Sequence, residues 1–255
     1  MPFAERDGVK LYYERGGRGP ELLFVPGWCC DHTFYAPQFD HFTSSHTVTV
    51  IDPRGCGRSS APEEGYGIPA LADDVAWLCE EVGITQPVVV GHSLGGMIVI
   101  ELAARHPRLP RAIVADDPGP IYPTALTLRI FEAFADEMAG PRGEDVRRAW
   151  VEDGVGPTAN DDLRRHIVDT MCSVPLPIAR AMIRGMMDWN GVGALVLCEV
   201  PLLILNPTGR SNEPSRIRPL SPGMHVGASV GAGHFHQLET PDQVDAMIGR
   251  FLELV

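Results

Sequence analysis

Short apolar runs alternate with stretches of helical character along most of the chain, and this alternation limits the possible folds more than any other feature. It predicts a mainly parallel β-sheet that is covered by helices on both faces. The runs are rich in Val, Leu and Ile without clean polar alternation, which is typical of strands buried on both sides. We predict strands at Lys10–Glu14, Leu22–Val25, Val48–Ile51, Val88–Val90, Ala112–Ala115, Leu202–Leu205 and His225–Ser229. We predict helices at Pro69–Val82, Leu94–Arg105 and Pro241–Leu254, with Thr240 as the N-cap of the last.

The segment from residue 118 to residue 195 interrupts this alternation. It is rich in helix formers and holds five of the nine methionines of the chain. A single crossover helix between two parallel strands needs far fewer than ~75 residues. We therefore predict a helical cap at residues 118–195 and an α/β core formed by residues 1–117 and 196–255.

Composition argues against several classes of function. The formal net charge of −12 disfavours binding to nucleic acid or to an anionic membrane surface. The N-terminal residues lack the apolar run of a signal peptide, and no apolar run approaches the ~18 residues of a membrane-spanning helix. The six cysteines form no CxxC pair and show no regular spacing, so we expect free thiols and no metal site. These features predict a cytoplasmic protein.

Residues 88–97 read Val-Val-Val-Gly-His-Ser-Leu-Gly-Gly-Met, a strand followed by a sharp turn and the start of a helix. A Gly-x-Ser-x-Gly turn in that context is a nucleophile elbow, which presents its serine at the carboxyl edge of the sheet. The turn brings the backbone so close to neighbouring chain that a Cβ at Gly91 or Gly95 would clash. We therefore predict Ser93 as a nucleophile, with the N-terminus of the following helix directed at developing negative charge.

A serine hydroxyl needs a base that accepts its proton, and nine histidines compete for this role. His234 lies in Gly-Ala-Gly-His-Phe after the last predicted strand, in a loop at the same sheet edge as the elbow. We predict His234 as the base, with His236 as the alternative. The other histidines lie in the elbow, at the start of a strand or in segments typical of solvated side chains: His92, His225, His32, His41, His46, His106 and His166.

Backbone N–H groups are expected to stabilise the oxyanion that forms when a serine attacks a carbonyl group. One such group belongs to Leu94, directly after the predicted nucleophile. The second is expected in the loop Pro26-Gly27-Trp28, which follows the Leu22–Val25 strand. We predict the N–H of Trp28 as this donor and its indole as a wall of the binding pocket.

Several segments together resemble the α/β-hydrolase superfamily. They are residues 8–13 (GVKLYY), residues 26–28 (PGW), residues 52–59 (DPRGCGRS), the elbow, and residues 231–234 (GAGH). The resemblance implies an α/β-hydrolase fold with a mostly parallel eight-stranded sheet and a helical cap inserted between strands 6 and 7. It also implies a Ser-His-acid triad that works without a cofactor, and a structural role for the turn at residues 52–59.

The chain departs from most of the superfamily at the acid of the triad. Most members carry this acid after the seventh strand in a turn that resembles G-x-x-D, but residues 205–214 contain no aspartate. Some relatives, including haloalkane dehalogenases and a fungal-type zearalenone lactonase, carry it after the sixth strand, where this chain has Asp116 and Asp117. Similarity to these relatives implies Asp117. Asp116 stays an alternative, and so does Glu213 if the turn after the seventh strand is two residues longer.

These residues predict a hydrolase that cleaves a carboxylic ester or a lactone through an acyl-Ser93 intermediate. Its partner would be a small-molecule substrate whose apolar part lies under the cap. The loop at residues 26–32 also resembles that of cofactor-free quinolone ring-cleaving dioxygenases, which share this fold. This resemblance makes ring cleavage the alternative function. It ranks below hydrolysis because those enzymes carry histidines where this chain has Cys30 and Leu94. A non-catalytic ligand receptor is a third hypothesis.

Overall fold

The computed structural model describes residues 2–208 and 214–255. Its strands are β1 (Phe3–Arg6), β2 (Val9–Gly17), β3 (Glu21–Val25), β4 (Thr47–Ile51), β5 (Val88–His92), β6 (Ala112–Asp116), β7 (Leu202–Pro207) and β8 (His225–Ser229). They form one eight-stranded sheet in the order β1-β2-β4-β3-β5-β6-β7-β8. The pairs β1–β2 and β2–β4 are antiparallel, and the remaining pairs are parallel. This is the mostly parallel sheet that the resemblance implies.

The helices are α1 (Ala36–Phe42), α2 (Ile68–Val82), α3 (Leu94–Arg105), α4 (Ala125–Glu137), α5 (Gly143–Gly154), α6 (Asp161–Ser173), α7 (Leu176–Met187), α8 (Gly191–Leu197), α9 (Pro214–Ile217), α10 (His236–Glu239) and α11 (Pro241–Leu252). The three predicted helices correspond to α2, α3 and α11. Thr240 precedes α11 as predicted, but its hydroxyl donates to the carbonyl of His236 at 3.2 Å instead of capping α11. Within the described ranges, no helix is both long enough and apolar enough to cross a membrane.

All seven strands predicted from apolar runs are present, whereas β1 was not predicted. Three of the four β1 residues are exposed, so this edge strand lacks the apolar run that marks the others. β2 extends beyond the predicted Lys10–Glu14 because its antiparallel pairing with β4 continues to Gly17. Edge and antiparallel strands depend on pairing more than on burial, which explains why both differences occur at this side of the sheet.

The central strands are buried on both faces. Leu22 and Phe24 of β3 pack on one face together with Phe251 of α11. Leu23 and Val25 of the same strand point to the opposite face, where α2, α3 and the inserted helices contribute to the core. Successive side chains of a strand alternate between faces, so a strand covered twice carries apolar residues at every position. Because these strands are buried on both faces, their sequences are continuous apolar runs, and the strands could be predicted from those runs.

Helices α4 to α8 lie between β6 and β7, as the prediction of a helical insertion requires. Helix α4 contacts α7 and α5 contacts α6, whereas α8 packs against α3 of the sheet layer. The insertion is held to the core by the indole of Trp28, whose Nε1–H donates to the carbonyl of Ala179 at 2.8 Å. The division into a core and a cap at residues 118 and 195 stays a prediction.

Candidate active site

The sharp turn predicted at Ser93 lies between β5 and α3. Ser93 has φ 55° and ψ −112°, which is a left-handed and strained conformation for a residue with a side chain. A Cβ on Gly91 would lie 2.1 Å from the carbonyl oxygen of Gly95, and one on Gly95 would lie 2.0 Å from that of Val25. Both glycines are therefore required by close approach of the backbone, for the reason that the sequence suggested.

Two further residues with positive φ lie beyond strands that neighbour this turn. Cys29 has φ 57° after β3, and Asp117 has φ 37° directly after β6. Strands β3, β5 and β6 are adjacent in the sheet, so three strained residues gather at one carboxyl edge. Strained backbone of this kind clusters at functional sites, and the carboxyl edge is where ligands bind in open α/β sheets.

The predicted acid and the predicted base are in contact. Nδ1 of His234 lies 2.5 Å from Oδ2 of Asp117, whose side chain is almost completely buried. A carboxylate can only accept a hydrogen bond, so Nδ1 carries the hydrogen and the lone pair of Nε2 is left for another partner. Ser93, Asp117 and His234 line one cavity. The structure therefore brings together the three residues that the sequence singled out.

The loop that carries His234 is bonded to the inserted helices. The backbone N–H of His234 donates to the carbonyl of Gly154 at 2.8 Å, at the end of α5. The carboxylate of Glu239 accepts the N–H of Gly233 and the N–H of Gly156, each at 3.1 Å. Glu239 thus joins the His234 loop to the segment after α5. Displacement of the inserted helices would consequently move the candidate base.

His92, inside the sharp turn, supports the same loop from below. Its Nε2 donates to the carbonyl of His234 at 2.8 Å, and the two imidazole rings lie 4.5 Å apart. Burial, with a smaller contribution from nearby His234, lowers the pKa of His92 to about 3. His92 is therefore neutral at physiological pH and acts as a hydrogen-bond donor to the loop backbone.

The alternatives to the predicted acid and base, Asp116 and His236, pair with each other. Nε2 of His236 contacts Oδ1 of Asp116, and both side chains are completely buried. Nδ1 of His236 lies 2.8 Å from the Ser229 hydroxyl, and the Tyr35 hydroxyl donates to Asp116 Oδ2 at 3.4 Å. In the described part of the chain, neither residue lines the cavity of Ser93. We therefore assign this buried pair a role in joining β6 to α10.

Burial lowers the pKa of His236, but the surrounding negative charges, Asp116 first, raise it by more, so the net shift is upward. The protonated pair therefore stabilises the fold fully below the ordinary histidine pKa of 6.5, and this contribution is lost as pH rises through the higher folded value. We expect His236→Gln to lower the free energy of unfolding by about 3 kcal/mol at pH 6, because it leaves a buried carboxylate unpaired. Urea unfolding at pH 6, 7.5 and 9 measures the difference.

The difference in the free energy of unfolding between wild type and His236→Gln should become smaller as the pH rises. His41→Gln serves as the control because the side chain of His41 is 56% exposed and its contact with Asp245 is 3.7 Å long, so its loss should cost at most about 1 kcal/mol. If this difference in the free energy of unfolding stays constant or grows between pH 6 and pH 9, the buried pair of His236 and Asp116 is not ionic.

The loop predicted to supply the second oxyanion donor lies beside Ser93. A Cβ on Gly27 would approach Cβ of Ser93 to 3.2 Å, so the neighbouring backbone passes directly over the serine. No acceptor among the described residues takes the N–H of Trp28. The N–H of Leu94 begins α3 and has no acceptor within the helix. Both predicted donors are therefore available near the candidate nucleophile.

The cavity has a volume of about 390 Å³. Its apolar walls come mainly from the insertion and from the His234 loop: Phe131, Trp150, Met171, Ile183, Met186 and Phe235. The side chain of Trp28 also lines it, as predicted. Glu213, the alternative acid after the seventh strand, lies outside the described residues. Three polar residues that line the cavity were not predicted, because no motif marks them: Arg216 of α9, and Thr124 and Thr127 at the start of α4.

His32 and His166, which were among the histidines interpreted as solvated, are partly buried and bonded to distant segments instead. Nδ1 of His32 lies 2.7 Å from Oδ1 of Asp52, a fully buried carboxylate at the end of β4. Nε2 of His166 lies 2.9 Å from the Thr33 hydroxyl. The interpretation of these two residues was wrong because their partners come from distant segments. Asp52 also accepts the N–H of Arg58, which fits the structural role expected for the turn at residues 52–59.

Comparison with known proteins gives the same fold. The family model for the alpha/beta hydrolase fold matches residues 20–171, which is more than half of the chain. The solved structure of the enol-lactonase from Burkholderia xenovorans LB400 superposes with a TM-score of 0.87 at 20% identity, covering 99% of this chain and 100% of that one. At this identity the likeness concerns the fold alone.

Curated relatives add two hydrolytic enzymes. The N-formylmaleamate deformylase of Pseudomonas putida is 29% identical, with 97% of this chain and 94% of that protein aligned. The 2-(acetamidomethylene)succinate hydrolase of Mesorhizobium japonicum is 34% identical, but the alignment covers only 46% of this chain and 42% of that protein. On the family match and the fold, the chain belongs to the alpha/beta hydrolase family.

Proposed function

We propose that the protein is a serine hydrolase that cleaves a carboxylic ester or a lactone through an acyl-Ser93 intermediate. The observation that carries this proposal is the 2.5 Å contact between His234 Nδ1 and Asp117 Oδ2, in a cavity that Ser93 also lines. The names of the relatives, a hydrolase and a deformylase, support a hydrolytic reaction.

In the first half of the proposed reaction, Oγ of Ser93 attacks the carbonyl carbon of the substrate. His234 accepts the hydroxyl proton at Nε2, and Asp117 stabilises the imidazolium that results. The backbone N–H groups of Leu94 and Trp28 bind the oxyanion, with support from the N-terminus of α3. Collapse of the tetrahedral intermediate breaks the C–O bond, and His234 returns the proton to the leaving alkoxide.

In the second half, water hydrolyses the acyl-enzyme. His234 takes a proton from this water as it attacks the acyl carbon, and the same two N–H groups bind the second oxyanion. The proton then returns to Oγ of Ser93 and the carboxylic acid leaves. The substrate would be a small molecule with an apolar moiety, since Phe131, Trp150 and the methionines of the insertion form the walls. The proposed chemistry uses no metal or cofactor.

The residue at position 30 disfavours the alternative of cofactor-free ring cleavage. Cys30 lines the cavity where the dioxygenases carry a histidine. Burial raises the pKa of the Cys30 thiol well above its ordinary value, so this group stays neutral. A neutral thiol is a poor partner for the anion of a hydroxy-heterocycle, which ring cleavage must stabilise before oxygen reacts.

Hydrolysis and oxygenation are separated by the oxygen dependence of the rate. We expect 4-nitrophenyl butyrate to be hydrolysed under nitrogen as fast as in air, because acyl transfer consumes no oxygen. Release of 4-nitrophenolate in sealed, degassed cuvettes measures this rate. Oxygen uptake with a 3-hydroxy-4-quinolone, together with no hydrolysis of any ester or lactone in a panel, would support the dioxygenase and contradict the proposal.

We also propose a cytoplasmic location. All six cysteines are free thiols, and four of them are buried. Free thiols persist in reducing compartments, whereas disulfides are typical of secreted proteins.

A further inference from the structure

Two exposed charged side chains, Arg216 and Asp153, line the cavity of Ser93. Within the described residues, Arg216 is the only arginine or lysine that lines the cavity of Ser93. Arg216 is exposed on the short helix α9, whereas Ser93 is buried, so the two residues lie at opposite depths of the same cavity. The guanidinium group is therefore accessible to a ligand that occupies the cavity.

The guanidinium group of Arg216 is held by an aromatic ring and not by an acid. Its Cζ lies 5.2 Å from the centroid of the Tyr122 ring, another residue that lines the cavity. No ion pair or side-chain hydrogen bond of Arg216 occurs in the described ranges, even though Asp153 also lines the cavity. Contact with a ring orients a guanidinium plane while its N–H groups stay free for a ligand.

The charge of the whole protein does not explain a cation at this place. The formal net charge is −12, so the overall field repels anions, and affinity for an anionic ligand needs a local contact. A guanidinium group binds a carboxylate through two parallel hydrogen bonds, a geometry that lysine does not offer. Tyr122, Thr124 and Thr127 line the same cavity and place further hydroxyl groups near α4.

We propose that Arg216 binds a carboxylate on the part of the substrate remote from the scissile bond. This inference rests on the proposed function and narrows its substrate class to esters or lactones that carry a free carboxylate beyond an apolar middle. The floor of the cavity would hold the reacting carbonyl group, the apolar walls the connecting carbons, and the mouth the carboxylate.

The test uses two substrates that differ at the remote carboxyl group, which is free in the mono-4-nitrophenyl ester of adipic acid and is masked as a methyl ester in the other. We expect wild type to show a kcat/KM about tenfold higher for the acid, the effect of one charged hydrogen-bonded contact. Arg216→Gln should reduce the ratio of the two kcat/KM values to about 1, mainly through a higher KM for the acid. Arg218→Gln is the matched control, since Arg218 is exposed near the same helix and does not line the cavity. It should keep the wild-type ratio.

A wild-type ratio of 1 or below, or an unchanged ratio in Arg216→Gln, would overturn the proposal while leaving ester hydrolysis in place. If neither ester is hydrolysed, the carboxylate site is judged by binding alone, and the proposed function fails only if no ester or lactone of the panel is hydrolysed either. For that purpose, calorimetry on Ser93→Ala protein compares monomethyl adipate with dimethyl adipate. Tighter binding of the monomethyl ester, lost when Arg216→Gln is added, supports the site, and equal binding of the two overturns it.

Discussion

Ser93→Ala should abolish ester hydrolysis while leaving the fold intact. Loss of a triad nucleophile typically lowers turnover by ~10⁶, because the base and the acid of the triad act by activating this hydroxyl group and have nothing to activate without it. Alanine suffers the same steric strain as serine at φ 55°, so the substitution should change the melting temperature little. Steady-state release of 4-nitrophenolate and thermal melts followed by circular dichroism measure the two quantities.

Ser44→Ala is the control, because its exposed hydroxyl donates to the nearby carbonyl of His41 and does not line the cavity of Ser93. It should retain wild-type turnover. Activity above a few per cent of wild type in the Ser93→Ala protein would mean that another group attacks the substrate.

Asp117→Asn should lower turnover by ~10⁴, because an amide at this place favours the imidazole tautomer that carries its hydrogen on Nε2. In that tautomer His234 has no lone pair directed at the serine. Asp117 lies 2.5 Å from His234, whereas Asp116 is buried against His236. Asp116→Asn should therefore act mainly on stability, and its folded fraction should hydrolyse esters much faster than Asp117→Asn. Single-turnover kinetics on protein shown to be folded separates the two effects.

Glu213→Gln completes the comparison of possible acids. It should keep most of the wild-type turnover. If it proves the most damaging of the three substitutions, the acid lies in the turn after β7 and the assignment of Asp117 is wrong.

The parts of the fold and of the site that could be predicted are those that a short stretch of consecutive residues determines. The turn at Ser93 was predictable because Gly91 and Gly95 are required by backbone contacts that any chain with this turn must make. The central strands were predictable because burial on both faces demands apolar side chains throughout. His234 could be chosen because it follows the last strand, and parallel strands end at one edge of the sheet.

The parts that the residues alone did not decide, or that were missed, depend on contacts between distant segments. Asp117 was preferred to Asp116 only through the resemblance, because two adjacent aspartates look alike in the sequence. In the structure Asp117 contacts His234, and Asp116 contacts His236 of α10. His32 appeared solvated because its partner Asp52 lies on another element. Arg216 carries no motif, and its position at the cavity mouth follows from how α9 packs beside Tyr122.

The central claim, a covalent intermediate on Ser93, is tested most directly by mass spectrometry of protein treated with a serine-directed 4-nitrophenyl phosphonate. The account predicts one adduct per chain, mapped to the peptide that contains Ser93, with its formation matched by loss of esterase activity. The Ser93→Ala protein should carry no adduct. Complete loss of activity with the adduct on a different residue, or full activity in protein whose Ser93 is modified, would contradict the account.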